Sequence, residues 1–338
     1  SKFRTLRDGK FVVRMDAREA ELYGDRVLGL LRRASDSLCK KYGLELTEPV
    51  TVEIFPRQND FAVRTFGMPG GAGYLGVCFG KVITANSPAS QADHPANWES
   101  VLWHEFCHVV TLQLTRNRMP RWLSEGISVY EERQSDRSWG QTMTPQYREM
   151  ILKDELVPIS QLSGAFLSPK TPVHLQFAYF ESSLVVEFIV ERFGLETVWA
   201  ILQDLSRNTA INSAIEQHAG QSMEDLEREF AAHVRSLAEK LAPEADMDRE
   251  SLPRAGRGGS AALREWAEQH PKNFWGQLRL AAALIEERKW QEAKTPLRRA
   301  IELFPDYDGA DNAYALLATV HRELGETADE RQALEKLV

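Results

Sequence analysis

Residues 101–114 read VLWHEFCHVVTLQL, and residues 120–132 read PRWLSEGISVYEE. Apolar residues surround the polar ones in both stretches, so each is predicted to form a helix that packs in the protein interior. In the first stretch, His104 and His108 stand four residues apart, which places both imidazoles on one helix face about a turn apart. Two histidines in this arrangement can share one metal ion.

The residues around these histidines favour a catalytic zinc site. Such a site has three protein ligands and a fourth position that is left open for water. Glu125 lies on the second predicted helix, after a turn around 117–120, and is the natural third ligand. Glu105 follows His104 by one position, so its carboxylate is turned off the ligand axis and can serve as general base. The alternative is a buried helix with two hydrogen-bonded core histidines, although Glu105 would sit poorly in a dry core.

HEFCH followed by WLSEGISVY resembles the gluzincin branch of zinc peptidases, and in particular peptidase MA-like bacterial proteins that carry tetratricopeptide repeats. The resemblance covers residues 1–241 in the order of elements. Its sharp motifs lie between His104 and Tyr130, with a weaker match at AYFESSLVVEFIVERFG, residues 178–194.

The resemblance carries its own expectations about the site. It implies Zn²⁺ as cofactor, His104, His108 and Glu125 as the metal ligands, and Glu105 as the base, in agreement with the chemical argument. It also implies that Tyr179 donates a hydrogen bond to the oxyanion, although a tyrosine in an apolar helix is about as often a core residue.

The family resemblance further implies where the substrate binds. GYLGVCFGKVITA, residues 73–85, resembles the edge strand along which gluzincins bind an extended substrate backbone, the alternative being an interior strand. Residues 70–73 are expected to form a mobile loop above the cleft. The resemblance also suggests an exported or envelope-associated protein.

The order of elements predicts an α+β fold, with a zincin-like metallopeptidase domain in which a small mixed sheet precedes the helices. The predicted elements are a hairpin over 3–15 that turns at Asp8-Gly9, a helix over 17–42, a strand over 50–55, two short strands over 73–85, helices over 97–114, 120–133 and 176–193, and three more helices to about Leu241.

Residues 242–260 are predicted to be a linker, because prolines, glycines and charges replace any apolar period. The domains are therefore expected at 1–241 and 261–338. From Phe274 onwards the spacing of small and apolar residues fits tetratricopeptide repeats, with fewer than three complete repeats. The second module is thus predicted to be all-α and able to bind a protein partner. So short an array is expected to lean on the first domain or on further chain.

Composition excludes several classes of protein. The formal charge of −8 and the lack of clustered Lys and Arg argue against nucleic acid as a partner. Cys39, Cys78 and Cys107 form no metal-binding pair of cysteines, and at most one disulfide is available. No apolar run approaches the roughly 20 residues of a transmembrane helix, and residues 1–15 do not resemble a signal peptide.

For several polar residues near the motif, a structural role explains the sequence as well as a catalytic one or better. Ser124 lacks the first glycine of a nucleophile elbow, because Trp122 stands at that position, and Cys107 is expected to be a core residue. Glu131 and Glu132 are candidates for orienting a histidine, but solvated helix positions explain them equally well. The remaining histidines lack paired spacing; His174 is the one that precedes the Tyr179 helix.

These observations lead to three functional hypotheses. The first is a zinc-dependent peptidase that acts on an extended polypeptide. The second is a binding or scaffold protein whose repeats hold a partner while the zinc site is retained for structure, which the intact Glu105 argues against. The third is a zinc hydrolase that acts on a small amide or a peptidoglycan peptide.

Overall fold

The computed structural model describes residues 3–70, 73–91, 97–249, 251–253, 259–307, 309 and 311–337. The chain divides into two compact units. The first contains Ser1–Thr142 and Leu156–Ala231, and the second contains Met143–Glu155 and Ala232–Val338. The domain boundaries that were predicted at 241 and 261 stay a prediction.

The first unit contains a five-stranded mixed sheet with the strand order β1-β2-β3-β5-β4. β1 pairs antiparallel with β2, β2 and β3 are parallel, β3 and β5 are parallel, and β4 pairs antiparallel with β5. The strands are β1 (Phe3–Asp8), β2 (Phe11–Asp16), β3 (Val50–Phe55), β4 (Gly76–Phe79) and β5 (Val82–Asn86). β4 therefore lies at one edge of the sheet, as the family resemblance implied.

Helices account for most of the remaining described chain, so the predicted α+β organisation is confirmed. In chain order they are α1 (Ala17–Ala34), α2 (Lys40–Tyr42), α3 (Gln58–Phe66), α4 (Trp98–Leu114), α5 (Arg121–Ser135), α6 (Pro145–Leu152), α7 (Leu162–Leu167), α8 (Pro172–Phe193), α9 (Leu195–Ser206), α10 (Ile211–Ala219), α11 (Met223–Lys240), α12 (Gly259–Gln269), α13 (Phe274–Glu286), α14 (Trp290–Leu303), α15 (Ala313–Glu323) and α16 (Thr327–Leu334). A π-helical turn, Ser35–Cys39, joins α1 to α2.

The two motif-bearing helices begin and end where the local sequence dictates. The Asn97 side chain accepts hydrogen bonds from the backbone N–H groups of Glu99 and Ser100, both at 3.2 Å, and caps the start of α4. After α4, Arg116 and Asn117 adopt positive φ angles of 54° and 59°, which reverse the chain before Pro120 precedes α5. The turn predicted from sequence thus brings α5 back alongside α4.

A glycine allows α5 and α8 to pack closely. A Cβ atom added to Gly126 would lie 2.5 Å from the backbone oxygen of Ser182, a distance that real Cβ contacts do not reach. The backbones of the two helices can therefore approach only because residue 126 has no side chain. This contact brings α8, which carries Tyr179, against the helix that carries Glu125.

α8 is long and apolar enough, by length and composition alone, to be a candidate membrane span. However, 61% of its apolar window is buried inside the protein. The fully buried side chains of Glu181, Ser182 and Ser183 also lie on it. A buried core helix meets the same criteria, so these properties are only weak evidence that α8 spans a membrane.

The second unit has its own hydrophobic core, formed by α13, α14 and α15 together with part of the segment that was predicted as a linker. Ala242, Ala245 and Met247 are buried in this core beside Phe274 and Leu278. The charges and glycines of 242–260 concealed this packing. Residues 250 and 254–258 lie outside the described part of the chain.

α6 belongs to the second unit although its sequence lies between α5 and α8. Arg148 on α6 is buried, and its Nε–H donates to the carbonyl oxygens of Ala238 and Leu241, at 3.1 and 3.0 Å. No signal in the sequence around Arg148 indicates this long-range contact.

Candidate metal centre

His104, His108 and Glu125 come together between α4 and α5. The Nε2 atoms of both histidines lie 3.2 Å from the same oxygen, Oε2 of Glu125. One ligand atom from each of the three residues lies within 4.8 Å of the others. The three residues that were predicted from the sequence as metal ligands thus direct two nitrogens and one oxygen toward a common point.

The spacing of these atoms matches a tetrahedral zinc site. Zinc–ligand bonds of about 2.0–2.1 Å at tetrahedral angles would separate any two ligand atoms by about 3.3 Å. Both measured nitrogen–oxygen distances, 3.2 Å, agree with that separation. The donor set of two imidazoles and a carboxylate is also one that zinc accepts in catalytic sites. The residues therefore fit the ion that the motif implies.

The second ring nitrogen of each histidine has a polar partner. His104 Nδ1 lies 2.5 Å from Oε1 of Glu132, and the other oxygen of Glu132 accepts a hydrogen bond from Ser100. His108 Nδ1 lies 2.9 Å from Ser124 Oγ and 3.2 Å from Ser128 Oγ. A carboxylate is an acceptor only, so Nδ1–H of His104 donates to Glu132 and the lone pair of Nε2 is left for a metal.

Of the two carboxylates considered for orienting a histidine, only Glu132 contacts one. Glu131 accepts a hydrogen bond from the Tyr42 hydroxyl at 2.6 Å and pairs with the Lys41 ammonium at 2.7 Å. Both glutamates are buried, at 2% and 7% exposure, so the solvated reading is wrong for each.

Glu105 lies beside the metal centre, under the edge strand. Its carboxylate is buried, and Oε2 has no hydrogen-bond partner among the described residues. A Cβ atom added to Gly76 on β4 would lie 2.8 Å from Glu105 Oε1. The strand can therefore pass directly over the carboxylate because residue 76 is a glycine. Sequence reasoning missed this role of Gly76.

Tyr179 also faces this region, from α8. Its hydroxyl oxygen accepts a hydrogen bond from Arg121 at 3.0 Å, and Arg121 in turn donates to Oε1 of Glu125 at 3.2 Å. Burial, together with the nearby charge of Glu125, raises the pKa of Tyr179 to about 12. The phenol therefore keeps its proton at neutral pH and remains a hydrogen-bond donor. Sequence reasoning did not identify Arg121.

Burial and charge act against each other on the titrating groups of the site. Burial raises the pKa of Glu105 above its usual value, although the two histidines oppose the shift. Burial would also raise the pKa of Glu125, but the two histidines outweigh burial and hold that pKa well below its usual range. Burial would lower the pKa of His104, yet Glu132 and Glu125 hold it well above its usual value. The site is thus rich in negative charge and suited to a cation.

A cleft of about 610 Å³ opens onto these residues. Its lining includes His104, Glu105, Arg121, Glu132 and Tyr179, with Gly76 on β4 at one side. The described lining also includes apolar side chains, among them Leu75, Val101, Val129, Trp139 and Leu175, and further polar ones, among them Asn97, Ser100, Gln141 and Gln176. The cleft is large enough to hold a ligand of several amino-acid residues, and its walls combine apolar and polar side chains.

A second cavity, of about 540 Å³, lies within the second unit and is a weaker candidate for catalysis. Arg249 stacks on the Trp275 ring there, with its guanidinium carbon 3.4 Å from the ring centroid. Its described lining contains no histidine and no cysteine. We therefore place the chemistry in the cleft of the first unit.

The remaining residues singled out in the sequence either have the structural roles that were predicted for them or lie outside the described residues. Cys107 is fully buried, and none of the three cysteines forms a disulfide. His174 contacts Thr171 Oγ1 at 2.8 Å near the start of α8 and is absent from the described lining of the cleft. Residues 71 and 72 of the predicted mobile loop lie outside the described residues.

Comparison with known proteins shows the superfamily to which the chain belongs. A family model described as the Peptidase MA superfamily matches residues 32–236, more than half of the 338 residues. No curated protein matches the chain. Among solved structures, the chain is similar to native yeast LTA4 hydrolase with a TM-score of 0.39 and 11% identity, over 99% of this chain and 62% of that one. The chain thus spans less than two thirds of that protein.

Proposed function

Because the chain belongs to the Peptidase MA superfamily, we propose that it is a zinc-dependent peptidase whose metal is held by His104, His108 and Glu125. The observation that carries the proposal is the convergence of both histidine Nε2 atoms on one oxygen of Glu125, at distances that suit a tetrahedral ion. Zinc, when bound, supplies Lewis acidity that lowers the pKa of water to about 7 and polarises a carbonyl group.

Glu105 is the proposed general base. Its buried carboxylate has one oxygen without a partner in the described chain, so it can accept the proton of the attacking water and return it to the leaving amine. Its raised pKa suits both steps, because a carboxylate that is too acidic holds a proton poorly. No serine or cysteine nucleophile is required.

Tyr179 is the proposed hydrogen-bond donor to the oxyanion. Its hydroxyl stays protonated at neutral pH and lines the same cleft as Glu105. β4 is the proposed binding edge for the substrate, since an edge strand has backbone N–H and C=O groups that an extended peptide can pair with. Gly76 would then place that peptide directly above Glu105.

We further propose that the helices of residues 261–338 form tetratricopeptide repeats that bind a protein partner. α13 packs on α14, α14 on α15 and α15 on α16, so each helix contacts the next, as stacked repeats require. A scaffold role without hydrolysis is a weaker alternative, because a structural zinc site has no use for a buried carboxylate beside it, one oxygen of which has no hydrogen-bond partner among the described residues.

Cleavage of an unfolded casein-like substrate tests this function. Wild-type protein loaded with zinc is compared with Glu105→Gln, which keeps the shape of the side chain and removes the base. The proposal requires cleavage by the wild type, inhibition by a chelator with recovery on added zinc, and loss of cleavage in the variant. Cleavage that survives in Glu105→Gln would reject the proposed mechanism.

A further inference from the structure

Arg121 joins the third proposed metal ligand to the proposed oxyanion donor. Its Nε–H donates to Oε1 of Glu125 over 3.2 Å, and a terminal N–H donates to the hydroxyl oxygen of Tyr179 over 3.0 Å. The guanidinium also lies over the Phe166 ring, 5.3 Å from its centroid. The same ring packs edge-on against Tyr179, with 5.0 Å between centroids. Arg121 is therefore fixed from three directions.

The contact with Glu125 separates the tasks of its two oxygens. Oε2 faces the Nε2 atoms of His104 and His108, whereas Oε1 is bonded to the guanidinium. A carboxylate that is held by one oxygen can rotate less, so the other oxygen keeps its direction toward the metal. Arg121 thus limits Glu125 to a single ligand oxygen.

The contact with Tyr179 fixes the direction of the tyrosine's own hydrogen bond. A guanidinium has only donors, so the tyrosine oxygen must be the acceptor in this pair. The hydroxyl proton is then directed elsewhere. Within the described chain no acceptor receives it, and Tyr179 lines the cleft. The proton is therefore available to a substrate.

The alternative is an ordinary helical ion pair. Arg121 and Glu125 stand four residues apart on α5, and exposed pairs of this kind contribute only a few tenths of a kcal/mol. Such a pair does not explain the bond to Tyr179, which is 58 residues away on another helix. One guanidinium that serves two residues of the same site points to a role in the site itself.

We propose that Arg121 is a positioning residue that holds Glu125 in single-oxygen coordination and directs the Tyr179 hydroxyl proton toward the oxyanion of the substrate. This inference rests on the proposed zinc-dependent peptidase function. An arginine is suited to the task because its planar fork can reach two acceptors at once, whereas a lysine presents a single ammonium centre.

The first test measures zinc affinity and steady-state kinetics for Arg121→Gln, Arg121→Lys and the control Arg118→Gln. Arg118 is a nearby arginine that donates to the Ser206 carbonyl oxygen, away from the cleft lining. For Arg121→Gln we expect kcat to fall about 10–100-fold with KM changed less than about threefold. We expect zinc affinity, measured against a competing chelator, to fall about tenfold. In Arg121→Lys we expect losses of kcat and of zinc affinity that are smaller than those in Arg121→Gln but still measurable.

The second test measures the coupling of Arg121 to Tyr179. In the Tyr179→Phe background, Arg121→Gln should reduce kcat by a smaller factor than in the wild type, because the proton that Arg121 directs is already absent. Circular dichroism and the melting temperature confirm that each variant folds. Added guanidinium ion should partly restore an Arg121→Ala variant, which mere unfolding would not allow.

The outcomes separate the two proposals. If the wild type binds no zinc and cleaves nothing, the peptidase function and this inference fail together. If the wild type is active but Arg121→Gln keeps the kcat and zinc affinity of Arg118→Gln, the inference alone is overturned. Fully independent effects of Arg121→Gln and Tyr179→Phe on kcat would also overturn it.

Discussion

Within the described residues, two groups of histidine and carboxylate side chains lie close enough to hold a cation: His104, His108 and Glu125 in the first unit, and His321, Glu326 and Asp329 in the second. In the first group, both histidines direct Nε2 at one carboxylate oxygen, and their Nδ1 atoms are bonded to other side chains. The amino-acid types in the two groups are nearly the same.

The second group already contains its own cation. The Lys294 ammonium donates to both oxygens of Glu326, at 2.7 and 2.6 Å, and lowers the pKa of that carboxyl group. His321 Nδ1 lies 2.5 Å from Glu326, whereas Asp329 lies 4.0 Å away and is 57% exposed. Proximity alone therefore does not make a metal site. In the second group Lys294 occupies both oxygens of Glu326, whereas in the first group Arg121 contacts only Oε1 of Glu125 and leaves Oε2 facing both histidines.

The largest expected contrast is between His108→Ala and His321→Ala. We expect His108→Ala to lose bound zinc and all measurable peptidase activity, since only two ligands remain. His321→Ala should keep both, because Lys294 already balances its carboxylate partner. Zinc per chain by elemental analysis and the casein assay give the result. Loss of zinc in His321→Ala would contradict the comparison.

Glu105→Gln is expected to separate zinc binding from chemistry in the first group. Removal of a general base costs about 10²–10⁴-fold in rate, so kcat should fall by about that factor. Zinc content should not change, because Glu105 is not one of the three proposed ligands. A variant that loses zinc along with activity would mean that this side chain holds the metal.

Glu132→Gln tests whether the hydrogen bond to His104 Nδ1 contributes to metal binding in the first group. The amide would replace the acceptor that holds His104 in the tautomer suited to metal binding, so zinc affinity should fall about 10–100-fold. Glu131→Gln is the matched control, as its carboxylate is buried at the adjacent position but contacts Tyr42 and Lys41. Equal losses of zinc affinity in both variants would remove Glu132 from the site.

Glu181 supplies a third case, a buried carboxylate that pairs with no positively charged side chain among the described residues. Burial raises the pKa of Glu181 to about 8, although the hydrogen bond that its carboxylate accepts from the Val157 backbone N–H opposes the shift. Its pKa in the unfolded chain is near the usual 4.5. Between these values the native state binds more protons, so the free energy of unfolding falls as pH rises from about 4.5 to about 8 and levels off above that.

Glu181→Gln should remove this pH dependence. Relative to the variant, the wild type should lose about 2 kcal/mol of stability between pH 5 and pH 8.5, since relaxation offsets part of the full linkage energy. Urea unfolding at the two pH values measures the difference. Glu187→Gln on the same helix is the control, because Glu187 pairs with Arg133. A wild-type curve parallel to that of Glu181→Gln would show that Glu181 is ionised in the native state.

The sequence predicted the parts of the site that depend on local spacing. The four-residue interval between His104 and His108 and the turn before Pro120 are local features, and the two helices that carry the proposed ligands lie where these features indicated. The strand at 50–55 and the two short strands after Gly73 are also found, with β4 at the sheet edge.

The contacts that sequence could not predict are those between distant elements. Glu131 and Glu132 are adjacent, and their directions differ by about 100° around the helix, so the angle between α4 and α5 decides which one meets His104. The residues around Gly76 give no sign that the Glu105 side chain packs against it. Arg121 likewise reaches Tyr179 only because Gly126 lets α5 and α8 approach.

X-ray absorption at the zinc edge of the purified protein tests the central claim most directly. We predict one zinc per chain with two imidazole nitrogens and oxygen ligands at about 2.0–2.2 Å and no sulfur. We also predict that this spectrum is lost in Glu125→Ala and retained in His321→Ala. A spectrum with sulfur ligands, or one that Glu125→Ala leaves unchanged, would contradict the proposed metal centre.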